Sequence, residues 1–396
     1  MNETSPPFAP SRRVADVQSP VIPQVSALVA AHPGTISLGQ GMVAYGPPDA
    51  ARRALVESWD DRDTHRYGGV AGGPELRQVL ADKLRQDNGI EIDPARILVT
   101  AGSNMAFFQA ILAITDPGDD VLLPSPFYFN HEMAIELAGC RATLVPTDGG
   151  YQPDPAVLEA AIGPRTRAIV TISPNNPTGV VYDRERLEAI NALCRRRGLF
   201  HISDEAYEYF TWDGAEHVSP ASFPTADEHT LSLFSLSKAY GFAGWRIGYA
   251  VVPESLRLDW IKIQDTNLIC PVQVSERVAL AALGEGSDYC RGHLRQLEPV
   301  RRTLLGGLAG LGSKVRRCSS AAGAMYVFVE LDSPLASGAL VEQLVREHGV
   351  GALPGDTFGV ESCSLRISYG ALDADTAQEG IHRLIGGLGQ ILAGSG

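Results

Sequence analysis

The sequence predicts an α/β protein, with a mostly parallel sheet in a large domain and a smaller α+β domain near the C-terminus. Short apolar runs such as RILVT, RAIVTI, LFHIS and TLSLF alternate with helical patterns up to about residue 285. Several of these runs are apolar almost throughout, as strands buried on both faces are. Strands that alternate with helices in this way predict a parallel sheet covered by helices.

The pattern changes after about residue 285. A long amphipathic pattern over residues 291–311 predicts a helix, and AMYVFVEL and SLRISYG predict strands with a further helix between them. We therefore expect a large domain over residues 47–285 and a small domain over residues 286–396. The N-terminal segment, residues 1–46, is too short to be a domain, and we expect it to pack on the small domain.

Composition excludes several classes of function. The 396 residues are 44% apolar and carry a formal net charge of −13, which argues against nucleic acid or an anionic membrane as a partner. The six cysteines and nine histidines are scattered without metal-ligand spacing, so we expect no metal site and a reducing compartment. The N-terminus lacks the apolar core of a signal peptide, and no stretch approaches the roughly 20 apolar residues of a membrane span. A cytoplasmic protein is expected.

Polar residues follow the predicted strands, where ligands of a doubly wound sheet gather. In TAGSN, Ser103 and Asn104 open a helix whose free amides favour an anion, although an ordinary helix cap is the favoured explanation of this motif taken alone. SPNNPTG, which contains Asn176, is typical of a rigid turn. In SDEAY, Asp204 ends a strand, where it could cap a helix or hold a protonated ring nitrogen.

Two basic residues in apolar surroundings are further candidates. Lys238, in SLSKAYGFAGWRIGY, is one of four lysines in the chain. Desolvation at a strand end would lower its pKa and make the neutral amine a nucleophile that can form an imine, although a lysine reaching solvent is the commoner situation. Arg366 lies inside the strand SLRISYG and therefore needs an anionic partner, either a structural carboxylate or that of a substrate.

Taken in order, SPNNPTG, DEAY, SLSKAYGFAGWRIGY and LRISYG resemble the motifs of the class I aminotransferases, which are fold-type I enzymes dependent on pyridoxal 5'-phosphate (PLP). The resemblance covers nearly the whole chain, from ISLGQGMVAYGPPD through YGGVAGGPELR and VTAGSNMAFFQAI to GALPGDTFG. It implies a mostly parallel seven-stranded sheet, a homodimer with shared active sites, and ping-pong transfer of an α-amino group to a 2-oxo acid.

The resemblance also implies roles for residues around the cofactor ring. Lys238 would bind PLP covalently and then shuttle a proton as base and acid. Asp204 would pair with the ring nitrogen and keep it protonated. Asn176 and Tyr207 would hydrogen-bond the ring oxygen, and Tyr128 would stack on the ring.

The other implied roles concern the phosphate of PLP. Ser103 and Asn104 would supply amides, Ser235 a hydroxyl, and Arg246 a guanidinium suited to phosphate. Tyr67 would reach the phosphate bound by the neighbouring subunit, which is the basis for expecting a homodimer.

Substrate contacts are the remaining part of the resemblance. Gly41, Asn176 and Arg366 match positions at the α-carboxylate of the substrate. The substrate side chain is expected to meet Tyr128, residues 42–45 and the partner subunit's residues 266–270. These are mainly apolar and contain no arginine for a distal carboxylate, which favours aromatic amino acids or methionine over aspartate.

Two alternatives remain open at this point. A lyase, cyclase or decarboxylase of the same fold would hold PLP with the same residues, because the orientation of the substrate over the ring distinguishes these reactions. A PLP-binding transcriptional regulator is the other alternative. It is disfavoured because the residues before YGPP show no basic helix-turn-helix pattern.

Overall fold

The computed structural model describes residue 8 and residues 11–15 and 17–393. The α-helices of this part are α1 (Arg12–Ala15), α2 (Val21–Ala30), α3 (Asp49–Asp60), α4 (Pro74–Lys83), α5 (Ser103–Ile114), α6 (Phe129–Leu137), α7 (Pro155–Ala161), α8 (Arg184–Arg197), α9 (Leu236–Ala239), α10 (Arg257–Asn267), α11 (Gln273–Leu283), α12 (Ser287–Gly310), α13 (Ser337–His348) and α14 (Ala374–Ile391). The strands are β1 (Ile36–Ser37), β2 (Ile97–Thr100), β3 (Asp120–Ser125), β4 (Arg141–Pro146), β5 (Thr166–Ile172), β6 (Phe200–Asp204), β7 (Thr230–Ser235), β8 (Gly248–Val251), β9 (Val315–Cys318), β10 (Tyr326–Leu331), β11 (Val350–Gly351), β12 (Leu353–Pro354) and β13 (Ser364–Ser368).

The large sheet has seven strands in the order β2-β8-β7-β6-β5-β3-β4. Strand β8 is antiparallel to both of its neighbours, and the other neighbouring pairs are parallel. Successive residues of β5 belong to different buried clusters: Ile169 shares one with Leu193 of α8, whereas Val170 shares another with Phe107 of α5. Both faces of the sheet are therefore buried, which explains why its strands are continuous apolar runs. The predicted fold class is confirmed.

The second sheet has four antiparallel strands in the order β12-β13-β10-β9. Helices α12 and α13 both pack against α14 and contact strands of this sheet. Strand β1 pairs in parallel with β11, and α2 contacts α13 and β12, so residues 21–37 lie against this second sheet and its helices. Helix α1 contacts α6 instead. The division into domains at residues 46 and 285 stays a prediction.

Between residues 17 and 393 and in the short described stretch before them, no helix is long and apolar enough to cross a membrane. The six cysteines are free, and Cys140, Cys194, Cys290 and Cys363 are buried. Buried free cysteines behave as small apolar side chains.

Candidate active site

The sequence-predicted side chains meet in a cavity of about 140 Å³ at the carboxyl edge of the large sheet. Asp204 is the last residue of β6, Ser235 is the last residue of β7, and Ser103 begins the helix after β2. Parallel strands deliver the residues that follow them to one edge, and this topology collects residues that are distant in sequence. The predicted site residues that line the cavity are Gly41, Ser103, Asn104, Tyr128, Asn176, Asp204, Tyr207, Ser235, Lys238, Arg246 and Arg366.

Lys238 lies in the four-residue helix α9, directly after β7. Its Nζ donates a hydrogen bond to the carbonyl oxygen of Gly41 at 2.6 Å. Desolvation lowers the pKa of Lys238 to about 8, and the positive charges of Arg246 and Arg366 act in the same direction. The neutral amine is therefore far more populated near pH 7 than in an ordinary lysine, and it predominates above about pH 8, as a nucleophilic lysine requires.

Asp204 has two close polar neighbours. Its Oδ1 accepts a hydrogen bond from the amide of Ala206 at 3.1 Å, and its Oδ2 lies 3.1 Å from Nε2 of His131. His131 is 1% exposed and stacks on Phe107 with ring centroids 3.8 Å apart. The sequence did not indicate this histidine, because it lies within a helical pattern and its role comes from the packing of α6 on the sheet.

Three tyrosines line another part of the cavity. The hydroxyls of Tyr207 and Tyr326 lie 2.5 Å apart, and burial raises the pKa of both phenols. Burial likewise raises the pKa of Tyr128 to about 12, partly offset by a hydrogen bond with Asn104. All three phenols are therefore neutral hydrogen-bonding groups near pH 7. Tyr326 was not predicted, since its strand AMYVFVEL gave no signal beyond that of a buried strand.

Arg366 is buried without an anion. It is 1% exposed, and its guanidinium donates to Oδ1 of Asn176 at 3.0 Å and to the carbonyl of Gly39 at 2.7 Å. It lies 4.5 Å from the ring centroid of Tyr326, and its Nε has no partner. No carboxylate of the described residues lies within ion-pair distance of it. A buried guanidinium paired with neutral groups is costly, and such a position favours a ligand that supplies a carboxylate.

The other end of the cavity is suited to a second anion. No side chain caps the first amides of α5. Gly102 precedes that helix with φ +84°, and a Cβ there would lie 2.5 Å from Nη2 of Arg246, so the glycine allows the guanidinium to come close. Arg246 donates to the carbonyls of Ala243 at 2.8 Å and Ala101 at 3.2 Å, which aims it at the helix terminus.

Two groups of predicted contacts lie elsewhere. Tyr67 is 82% exposed and does not line the cavity, so its predicted contact with a neighbouring subunit stays a prediction. Residues 42–45 and 266–270 are also absent from the lining. Tyr45 lies beside Lys238, where its hydroxyl donates to the main-chain carbonyl of that lysine at 2.7 Å.

Comparison with known families agrees with this arrangement. Residues 33–384 match the family described as aminotransferase class I and II. The chain belongs to this family. The class I aminotransferase resemblance of the motifs is thereby confirmed, and members of the family depend in general on PLP.

Individual relatives are similar over most of their length. The chain is 33% identical to the aromatic aminotransferase ISS1 of Arabidopsis thaliana, over 96% of this chain and 97% of that one. It is 36% identical to an aspartate/prephenate aminotransferase of Thermus thermophilus, over 87% and 86% of the two chains. A solved structure of Thermus thermophilus aspartate aminotransferase with maleate superimposes with a TM-score of 0.86 at 31% identity, covering 96% of this chain and 100% of that one.

These relatives decide between the reactions left open by the sequence. The family is one of aminotransferases, and the relatives above are named as aminotransferases. The protein therefore transfers amino groups, and the lyase, cyclase or decarboxylase alternative is not favoured.

Proposed function

We propose that this aminotransferase binds PLP and transfers the α-amino group of an aromatic amino acid or methionine to a 2-oxo acid by a ping-pong mechanism. The donor set of the cavity fits PLP. The uncapped amides of α5 and the guanidinium of Arg246 suit its phosphate, Asp204 suits its ring nitrogen, and the neutral amine of Lys238 suits its aldehyde.

Bound PLP would supply an electron sink for negative charge that develops at the substrate Cα. Nζ of Lys238 would take the proton from Cα as a base and then donate a proton to the cofactor as an acid. Asp204, whose Oδ2 lies 3.1 Å from His131, would pair with the ring nitrogen of PLP and keep it protonated. Asn176 and Tyr207 would orient the ring through its oxygen.

The observation that carries the proposal is Arg366. Its buried guanidinium contacts neutral oxygens and aromatic rings, and this leaves the demand for a carboxylate to the substrate. A planar guanidinium would hold an α-carboxylate at two points and so fix the direction of the Cα–H bond.

The lining also supports an apolar substrate side chain. Ile22, Ile172 and Tyr128 contribute apolar surface, and the described lining contains no cation besides Lys238, Arg246 and Arg366. A distal carboxylate, as in aspartate, would need a further cation that is not part of this lining. Among the relatives, this agrees with the name of the Arabidopsis aromatic aminotransferase rather than with that of the Thermus enzyme.

We also propose a homodimer with shared active sites in the cytoplasm. Tyr67 and the apolar side chains of Val56, Trp59 and Ile269 are exposed in the single chain, as expected for side chains that meet a second copy. Free cysteines favour a reducing compartment. The molecular mass in solution tests the dimer.

Purified protein with PLP should be tested with single amino donors and then with 2-oxo acids. A donor alone should change the visible absorption of the bound cofactor and release its 2-oxo acid, with phenylalanine, tyrosine and methionine faster than aspartate. If aspartate is the fastest donor, the proposed donor class is wrong. Release of ammonia and pyruvate from a suitable donor would show lyase chemistry instead.

A further inference from the structure

The short segment 41–46 holds Lys238 at both ends of the residue. The carbonyl of Gly41 accepts a hydrogen bond from Nζ at 2.6 Å, and the hydroxyl of Tyr45 donates to the main-chain carbonyl of Lys238 at 2.7 Å. The segment therefore contacts the main chain of Lys238 through a side chain and the amine of Lys238 through a carbonyl.

The two backbones are in close contact at this point. Gly241, in the turn after Lys238, has φ +67°, and a Cβ there would lie 2.6 Å from the carbonyl carbon of Gly46 and 2.7 Å from the oxygen of Tyr45. A larger residue at position 241 would push the segment and the lysine turn apart. This close approach places Tyr45 within reach of the main chain of Lys238.

The ring of Tyr45 is itself held by the start of α12. It stacks on His293 with centroids 4.0 Å apart, and its hydroxyl lies 3.6 Å from Sγ of Cys290. Tyr289 donates from its hydroxyl to the carbonyl of Gly46 at 2.6 Å, which fixes the end of the segment. A ring held on these sides keeps its hydroxyl close to the carbonyl of Lys238, with the carbonyl of Ala239 farther away at 3.5 Å.

We propose that Tyr45 is a positioning residue for Lys238, an inference that rests on the proposed role of this lysine in amino-group transfer. Helix α9 has only four residues. The amide of Gly241 lies 3.4 Å from the carbonyl oxygen of Lys238, whereas the hydroxyl of Tyr45 lies 2.7 Å from it and makes the shorter contact. Proton transfer to and from a substrate depends on sub-ångström placement of the base. Tyr45 acts through the lysine and does not line the cavity.

The titratable groups that surround Tyr45 keep one protonation state near pH 7. Burial lowers the pKa of His293, raises that of Cys290 to about 12 and raises that of Tyr45, so all three are neutral near pH 7. The charged groups that act on Lys238 are Arg246, Arg366 and Asp204. A change in the titration of Lys238 in a Tyr45 variant would therefore report a changed environment of the lysine.

The test is Tyr45→Phe in the PLP-loaded enzyme, since this substitution keeps the ring and removes the hydroxyl. Tyr289→Phe is the matched control, because it removes a hydroxyl that donates to a backbone carbonyl of the same segment without touching Lys238. We expect kcat to fall about tenfold in Tyr45→Phe, with the KM for the amino donor nearly unchanged. The pH midpoint of the visible absorption of bound PLP should rise, because a more hydrated lysine is less affected by Arg246 and Arg366.

The control should keep the wild-type kcat and pH midpoint, even if its thermal stability falls like that of Tyr45→Phe. Tyr45→Phe with a wild-type kcat, or with an unchanged or lowered midpoint, would overturn the proposal and leave Tyr45 a packing residue. Equal changes in both variants would also overturn it, by attributing the effect to the whole cluster. If the unsubstituted protein shows no visible PLP band, the proposed function itself is wrong.

Discussion

The two ends of the cavity contain arginines in opposite environments. Arg366 is 1% exposed, lies on a central strand of the small sheet and is enclosed by the rings of Tyr326 and Phe358. Arg246 is exposed, has a left-handed backbone with φ +52°, and donates to main-chain carbonyls beside an open helix terminus. We call the buried end of the cavity, around Arg366, the dry end, and the exposed end, around Arg246, the wet end. An arginine serves at both.

The difference shows where binding selectivity can arise. In a dry site an unpaired or poorly matched polar group carries most of its desolvation cost, so Arg366 should discriminate sharply between ligands with and without a carboxylate. At the wet end, water and salt weaken the attraction between Arg246 and an anion, and several amides of α5 contribute to binding the same anion. We therefore expect the carboxylate end to decide the choice of substrate and the phosphate end to retain the cofactor.

The largest effect should come from the lysine between the two ends. Lys238→Ala removes the amine that both proposed steps need, so turnover should fall by at least about a thousandfold, and the visible band of covalently bound PLP should vanish. Lys262→Ala is the matched control, since Lys262 is exposed and pairs with Asp259. Steady-state rates and absorption spectra measure both variants, and an active Lys238→Ala protein would refute the assignment.

A smaller effect is expected at the dry end. Arg366→Lys keeps the charge and loses the planar fork, so KM should rise for amino acid and 2-oxo acid alike. The kcat/KM ratio should fall about 10- to 100-fold, as expected for a lost charged hydrogen bond of about 1.5–3 kcal/mol. Arg301→Lys is the control, since Arg301 is 2% exposed but already pairs with Asp213 at 2.6 Å. It should lose thermal stability while keeping its KM values, and an unchanged KM in Arg366→Lys would mean that another group binds the carboxylate.

The sequence predicted the fold because its strands are buried on both faces and leave continuous apolar runs. It indicated most of the lining because functional residues such as Asp204 and Ser235 end strands of that sheet. His131 and Tyr326 could not be predicted, since their segments show only the pattern of ordinary core. Helix α6 brings His131 to Asp204, and strand β10 brings Tyr326 to the cavity. The sequence likewise did not predict that Tyr45 of the segment 41–46 contacts Lys238, because a loop has no periodicity that indicates its orientation.

The smallest of these effects should come from the wet end. Arg246→Gln removes one charge while leaving the amides of α5 in place, so the Kd for PLP should rise about tenfold. High salt should reduce the difference in Kd between Arg246→Gln and the unsubstituted protein, because salt screens an exposed charge.

Arg257→Gln is the control, since Arg257 is also exposed but pairs with Glu254 away from the cavity. PLP titrations at low and high salt, with KM for the amino donor measured at saturating PLP, separate the two ends. If Arg246→Gln raises that KM as much as Arg366→Lys does, the wet end also selects the substrate, and the contrast between the two arginines is wrong.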